Sequence, residues 1–414
     1  MSRPSVRTVL RERGVRGLAA AILRRLKPRR QVVQQRRLHI PDISRNRTGL
    51  DVLGFFTAEH GVGEAARTFV TTLRSMGVPL NTINYTDTES RTEHFFVTDD
   101  VSQHHTLFLS INADHLVAAR NILGDHFFHD RYVISQWFWE LEQAPTWYED
   151  AWSVVDELWA PTRFIETMLR KSAPAEITIR HIPLPITKSV IDPSITRPWL
   201  GIDGRYLFLF VFDMMSVMKR KNPLGLISAY TKAFQESDGA QLVIKTMNGD
   251  KRPEDKELLL AAAQGRSDIT VIDEYFTRIE ASTLISLADC YVSLHRSEGL
   301  GLTMAEAMSH GVPVIATNYS GNLDFMTEQN SFLVPWSPVL VGTGAGGYDP
   351  AATWAEPDEQ AAVQMLRFVY ENQREARVRG GQAMMDIERG FSEQAAGAIM
   401  KSRLEEIWRS ERGR

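Results

Sequence analysis

"SLHRSEGLGLTMAEAMSHGVPVIATNYSGNLDFM", residues 293–326, sets Glu298 and Glu306 with seven residues between them, Gly299 and Gly301 in that interval, and a helix beginning near Thr303. The apolar runs "DCYVSLH" and "VPVIAT" on either side read as strands. The stretch is therefore a strand, a glycine loop, a helix and a second strand, the βαβ unit of a parallel sheet. A carboxylate before such a helix can accept hydrogen bonds from sugar hydroxyls, and the glycines let backbone amides approach a diphosphate. A second carboxylate one turn into the helix suits a ribose diol. A capping role for Glu298 and a solvated one for Glu306 fit the same spacing.

Upstream of this unit, "RYLFLFVF", "AQLVIKT" and "DITVIDE" continue the same alternation, with helices expected near 224–236, 280–288 and 303–310. Between residue 50 and the linker lies another succession: "LDVLGFF", "HTLFLSI", "RYVISQWFW", "ELWA" and "ITIRHIPLPI", with helices over 64–76, 146–156 and 162–172. Each succession predicts a parallel sheet covered on both faces. Pro183, Pro185, Pro193 and Pro198 break the pattern between them. The expected fold class is α/β, two Rossmann-like doubly wound domains facing each other across a cleft. The first spans 48–196 and the second 197–389, and a helix over 390–414 is expected to pack back on the first.

The 414 residues include 43% hydrophobic and 24% charged ones, which excludes a fibrous or wholly disordered chain. Cys290, the single cysteine, can form no internal disulfide, and a reducing compartment fits, so the cytoplasm is the expected location. No apolar run reaches the roughly 20 residues that span a bilayer. The early run "GLAAAIL" is followed at once by Arg24 and Arg25, unlike a cleavable signal peptide. Residues 1–47 read as a basic tail. Within 1–37, Val15, Leu18, Ala19, Ile22 and Leu26 recur at helical spacing between arginines, which suits an amphipathic helix on an anionic membrane surface as well as a solvated basic tail. Nucleic acid is not an expected partner, because the rest of the chain lacks a basic patch with interleaved aromatics.

At the head of the first domain, "GFFTAEHGVGEAARTF" (54–69) carries Gly61-x-Gly63-x-x-Ala66, the spelling of a dinucleotide-binding loop. Thr57, Ala58, Glu59 and His60 intervene after the strand, and the loop is then too long for that fingerprint. What remains is a glycine-rich loop opening a helix, a place for a polar or anionic ligand, with Gly61, Gly63 and Glu64 as its residues. His115, after "HTLFLSI", and Glu140, at the end of "RYVISQWFW", stand where α/β sheets place ligands and are cleft candidates. On a strand, Trp137 and Trp139 would share one face, and core packing is their expected role. His126 and His129 have metal-like spacing without a third ligand, so no metal site is expected.

The 293–326 stretch resembles the retaining glycosyltransferases of family 4, which have the GT-B fold. Their Glu-x7-Glu motif matches at Glu298 and Glu306, and "HGVPVIAT" and "YSGNLDF" are similar to that family as well. "RKNPLGLISAYTKAF" (220–234) resembles the segment whose basic residues hold the donor diphosphate, with Lys221 as the matching lysine. The chain departs from the pattern where many members have Gly-Arg: it reads "VFDMMSVMKRK", with Met215 roughly in the arginine's place, and Lys245 is the expected substitute. "GVGEAAR", "QWFWELEQAPTWYEDAWSVVDELWAPTRFI" and "YDPAATWAEPDEQAA" resemble a subgroup encoded among polysaccharide biosynthesis genes.

The resemblance implies a retaining glycosyltransferase that moves a sugar from a nucleotide-diphosphate donor to a saccharide or lipid-linked saccharide hydroxyl. It implies Glu298, Lys221 and Lys245 as catalytic residues, and Glu306 with Gly299, Leu300, Gly301, Leu302 and Thr303 as the donor site. Gly61, Gly63, Glu64, His115 and Glu140 would line the acceptor side. Beyond the donor itself it implies no cofactor. It requires no metal, because the chain has no Asp-x-Asp triplet and offers basic groups instead. A nucleotide-sugar epimerase on the same fold, or a non-catalytic binding module, are the other readings.

Overall fold

The computed structural model describes residues 45–198, 202 and 204–412. The basic tail expected over 1–47 lies almost wholly outside these residues.

In the first half, β1 (Asn46–Gly54), β2 (Leu80–Asn84), β3 (His104–Ser110), β4 (Tyr132–Ser135), β5 (Glu157–Ala160) and β6 (Thr178–His181) form one sheet in the order β2-β1-β3-β4-β5-β6. All of its pairs are parallel. The second half repeats the plan with β7 (Tyr206–Val211), β8 (Ala240–Thr246), β9 (Ile269–Asp273), β10 (Cys290–Ser293), β11 (Val314–Thr317) and β12 (Phe332–Val334), in the order β12-β11-β10-β7-β8-β9. The runs "YLFLFV" and "AQLVIKT" are almost continuously buried, as parallel strands covered on both faces must be. An antiparallel hairpin, β13 (Trp336–Leu340) and β14 (Thr353–Pro357), follows the second sheet.

Both orders reverse at the strand that begins the domain, β1 and β7, and such switch points open a crevice beyond the carboxyl ends of the strands. In the first domain the crevice lies beyond β1 and β3, and in the second beyond β7 and β10. Helices start there for local reasons. The first-domain helix α1 (Gly61–Ser75) is capped by His60, whose Nδ1 accepts from the Gly63 amide at 3.1 Å, and α2 (Arg163–Ser172) by Thr162. In the second domain a single turn, α3 (Met218–Lys221), precedes α4 (Pro223–Ala233). Asn222, in the left-handed region at φ 55°, caps α4, and Pro223 occupies its first position. A Thr277/Glu280 capping box starts α5 (Arg278–Ser286), and Gly301, at φ 91°, starts α6 (Leu302–Ser309).

Two crossings join the domains, the proline-rich linker and Ser392. The latter lies between α7 (Gln373–Phe391) and α8 (Glu393–Arg412). Whereas α7 packs on the second domain, α8 returns to the first, where Met400, Leu404, Ile407 and Trp408 join the core of Val52, Phe69, Phe108 and Trp159. Trp408 Nε1 donates to Thr106 Oγ1 at 3.0 Å, and Arg403 holds the buried Glu157 carboxylate at 2.6 Å. Among the described residues, no helix is long and apolar enough to cross a membrane.

"RYVISQWFW" forms a shorter strand than its apolar length suggests. β4 ends at Ser135, and the Phe138 amide donates to the Asn112 side chain at 2.9 Å instead of to a neighbouring strand. Trp137 and Trp139 therefore stand on the chain leaving the strand rather than on one face of it. Both are buried, within an aromatic cluster that includes Tyr148 and Trp152.

Candidate functional site

The loops leaving β7 and β10 flank the second-domain crevice and are laced together. Asn222 Nδ2 donates to the Leu294 carbonyl at 2.8 Å, the Arg296 amide to the Arg220 carbonyl at 2.8 Å, and Arg220 Nη1 to the Ser297 carbonyl at 2.9 Å. This lacing brings Glu298 between two cations: Lys221 Nζ lies 2.5 Å from Oε1 and Arg220 Nη1 3.1 Å from Oε2. Burial would raise the Glu298 carboxyl, but Lys221 and Arg220 hold it down to about 2. Burial in turn lowers the Lys221 ammonium, against the pull of Glu298.

Strained backbone supports the carboxylate. Ser320, at φ 77° and ψ −148°, is in a region that side chains avoid, and its Oγ accepts from the Glu298 amide at 2.8 Å. Val217, a β-branched residue at φ 62°, directly precedes α3. Gly299 and Gly321 pass so closely that a Cβ on Gly321 would stand 2.1 Å from the Gly299 carbonyl oxygen. The Gly299 carbonyl accepts from Thr162 Oγ1 of the first domain at 3.0 Å.

Further along the donor stretch, Leu300 is buried in the second-domain core, Leu302 packs against that core from the side, and Thr303 Oγ1 lies 2.7 Å from the Tyr291 hydroxyl. Glu306, 5% exposed, accepts from Ser282 Oγ at 2.5 Å and pairs with Arg278 at 3.1 Å. The glycine-opened start of α6 at the carboxyl end of a parallel sheet offers an anion the amides of a helix N-terminus.

The first domain supplies the opposite wall. A side chain begun at Gly61 would come 4.0 Å from Leu302, whereas Gly63 has no room for one, with the Ala58 carbonyl oxygen 2.6 Å away. Glu64 lies 2.9 Å from Arg67 and 3.5 Å from Arg278. Glu140 crosses to the second domain. Arg220 Nη2 stands 3.6 Å from its Oε1, and the Tyr348 hydroxyl donates to its Oε2 at 2.7 Å. Tyr348 arrives on the loop between β13 and β14, and its ring lies 5.2 Å from that of Trp139. His115 stays on the first-domain side, edge-on to Phe55 at 5.0 Å.

Lys245 does not take the place expected of it. It sits at the end of β8, one strand away from the crevice, where Nζ donates to the carbonyls of Thr246 (3.0 Å) and Glu274 (2.7 Å) and lies 4.5 Å from the Phe276 ring centre. Burial pushes its ammonium down to about 8. The second cation on Glu298 is Arg220, which sequence reasoning passed over although it adjoins Lys221. The single helical turn after Val217 aims both basic side chains at the next loop. Among the described residues, no three His, Cys, Asp or Glu side chains converge as metal ligands.

Residues 202–336 match the family model described as glycosyl transferases group 1. No curated protein sequence matches the chain. Among solved structures, a sucrose-phosphate synthase from Thermosynechococcus elongatus is similar at TM-score 0.65 and 13% identity, over 88% of this chain and 100% of that one. Anabaena Alr3699/HepE in complex with UDP-glucose is similar at TM-score 0.62 and 12% identity, over 87% and 100%. A glycosyltransferase from Rickettsia africae is similar at TM-score 0.62 and 14% identity, over 88% and 99%. At such identities the likeness concerns the fold: this chain has the GT-B fold of two facing Rossmann-like domains.

Proposed function

We propose that this chain, a GT-B protein whose residues 202–336 match glycosyl transferases group 1, moves a glycosyl group from a nucleotide-diphosphate sugar to an acceptor hydroxyl with retention of configuration. The observation that carries this reading is Glu298 held between Lys221 and Arg220 beside the glycine-opened start of α6. The donor's anomeric C–O bond to phosphate breaks, the acceptor oxygen bonds to the same face of the sugar, and the acceptor proton passes to the leaving phosphate. Negative charge then develops on the diphosphate, where Arg220, Lys221 and the α6 amides stabilise it. Glu298 orients the donor sugar and Glu306 the ribose.

The acceptor lies against the first domain, with Glu140 and the ring pair Trp139/Tyr348 on its side of the cleft. The acceptor is a saccharide or lipid-linked saccharide, in the making of a polysaccharide or glycolipid, and residues 1–37 hold the protein on anionic lipid at the inner face of the membrane. Deleting those residues should abolish sedimentation with anionic liposomes, and unchanged sedimentation would refute that placement.

A thermal-shift panel of the four common nucleoside diphosphates tests the donor assignment. UDP leads the panel because Alr3699/HepE was solved with UDP-glucose. A ligand at a hundred times its dissociation constant adds about 2.7 kcal/mol to stability. No shift with any of them would sink the reading. Nucleotide release that depends on an added acceptor separates transfer from epimerisation.

A further inference from the structure

Arg278, the first residue of α5, makes contacts that the reaction described above does not use. Its guanidinium reaches three segments of the chain. Nη1 lies 3.1 Å from Glu306 Oε2 on α6, Nη2 donates to Ser189 Oγ in the interdomain linker at 2.7 Å, and Nε lies 3.5 Å from Glu64 Oε1 on the first-domain helix α1. One turn further along α5, Ser282 holds the other oxygen of Glu306. Two residues four apart on one helix thus fix both oxygens of the carboxylate assigned to the ribose, because positions i and i+4 share a face. Each oxygen keeps a lone pair for a ribose hydroxyl.

The contacts continue into the first domain. Glu64 also pairs with Arg67, whose Nη1 donates to the carbonyls of Phe56 (3.0 Å) and Ala58 (2.8 Å) in the loop between β1 and α1. Burial would raise the Glu64 carboxyl, but Arg278 and Arg67 hold it below its ordinary value. A planar guanidinium can serve three acceptors in different directions at once, which an ammonium on a flexible stem does poorly.

We infer that Arg278 is a positioning residue that ties nucleotide capture on Glu306 to the placement of the first domain through Glu64. The inference rests on Glu306 being the ribose carboxylate. Without Arg278, Glu306 is a nearly buried carboxylate with no ion-pair partner among the described residues, and its geometry loosens. Without the Glu64 charge, Arg278 loses its anchor on the other domain. Coupling of this kind is reciprocal: whatever fixes α1 against α5 tightens nucleotide binding, and bound nucleotide tightens the domain contact.

Calorimetric titration of UDP into the full chain tests this, comparing the wild type with Arg278→Ala, Arg278→Lys, Glu64→Gln and the Arg278→Ala/Glu64→Gln pair. Arg278→Ala should weaken UDP binding by about tenfold, less than the loss for a fully buried pair because Arg278 is partly exposed. Arg278→Lys should recover only part of that. Glu64→Gln, isosteric and on the other domain, should weaken binding by about threefold. In the double variant it should add nothing to Arg278→Ala, since contacting residues are not additive. Wild-type affinity in Glu64→Gln, or losses that multiply in the double variant, would overturn the inference alone. A wild type that binds none of the four nucleoside diphosphates would overturn the donor reading and this inference with it.

Discussion

Arg220 Nη1 stands 3.1 Å from Glu298 Oε2, and neither side chain is more than a tenth exposed. In a site this dry, removing Arg220 leaves Glu298 with Lys221 as its remaining cation, and the loss of one charge-assisted hydrogen bond costs about 1.5–3 kcal/mol. Arg220→Met should therefore lower both unfolding stability and turnover, the latter on the order of a hundredfold, the scale for losing one preorganised charge-stabilising group. Lys221→Ala should show a similar loss of turnover. Lys245→Met should leave turnover within about threefold, because Lys245 serves carbonyls of its own domain. Steady-state rates with urea melts check all three, and a Lys245→Met loss as deep as that of Lys221→Ala would reverse the assignment of the second cation.

Glu306→Ala should raise the Michaelis constant for the donor more than it lowers turnover, since the proposed ribose contact would be made before and during transfer. An unchanged constant with collapsed turnover would show that Glu306 acts at the reacting bond instead.

Tyr348→Phe keeps the ring against Trp139 and removes only the hydroxyl that donates to Glu140. The acceptor's Michaelis constant should rise about threefold to tenfold, the size of one hydrogen bond, while slow hydrolysis of the donor by water stays at the wild-type rate. Equal loss in both reactions would place Tyr348 on the donor side.

His60 gives a pH dependence whose sign is fixed by its environment. Burial first, then the nearby Arg67 and His115, pushes the imidazole down to about 4. Between about pH 6.5 and 4 the unfolded chain binds a proton at His60 that the folded chain refuses, so stability falls as pH drops through that window. The loss should be on the order of 2 kcal/mol once partial exposure is allowed for. His60→Asn keeps an acceptor for the Gly63 amide and does not titrate, so its melting temperature should fall less than that of the wild type across the same range. Parallel melting curves would rule out His60 as the source.

Transfer should persist in excess EDTA if, as proposed, Arg220, Lys221 and the α6 amides meet the diphosphate charge. Activity abolished by EDTA and restored by magnesium or manganese would overturn this and weaken the proposed reading.

Legibility in the sequence divides along physical lines. Strands buried on both faces announce themselves as unbroken apolar runs, so "YLFLFV", "LVIK" and "CYVS" were readable, and with them the second-domain crevice. β13 carries Pro338 and is exposed along its whole length, so no burial pattern marks it. The hairpin that brings Tyr348 to Glu140 was visible only as the family-like "YDPAATWAEPDEQAA", because partners 208 residues apart leave no local trace. Arg220 was hidden for another reason. Its direction depends on Val217 adopting a positive φ, which no residue preference forecasts. The end of β4 was masked by aromatics that continue the apolar run while packing into a cluster rather than a sheet.

The return of α8 reverses the usual order of assembly. Thr106 and Trp408, which share a hydrogen bond in the first-domain core, are 302 residues apart, with the whole second sheet between them. A chain leaving the ribosome makes the first domain first but cannot finish its core until Met400, Leu404, Ile407 and Trp408 have emerged. Domains generally fold as units from the N-terminus. Here the first-made domain must instead wait with an apolar face uncovered while the second folds. A stop codon before Met400 would therefore spare the later domain and leave the core of the earlier one without its last four members.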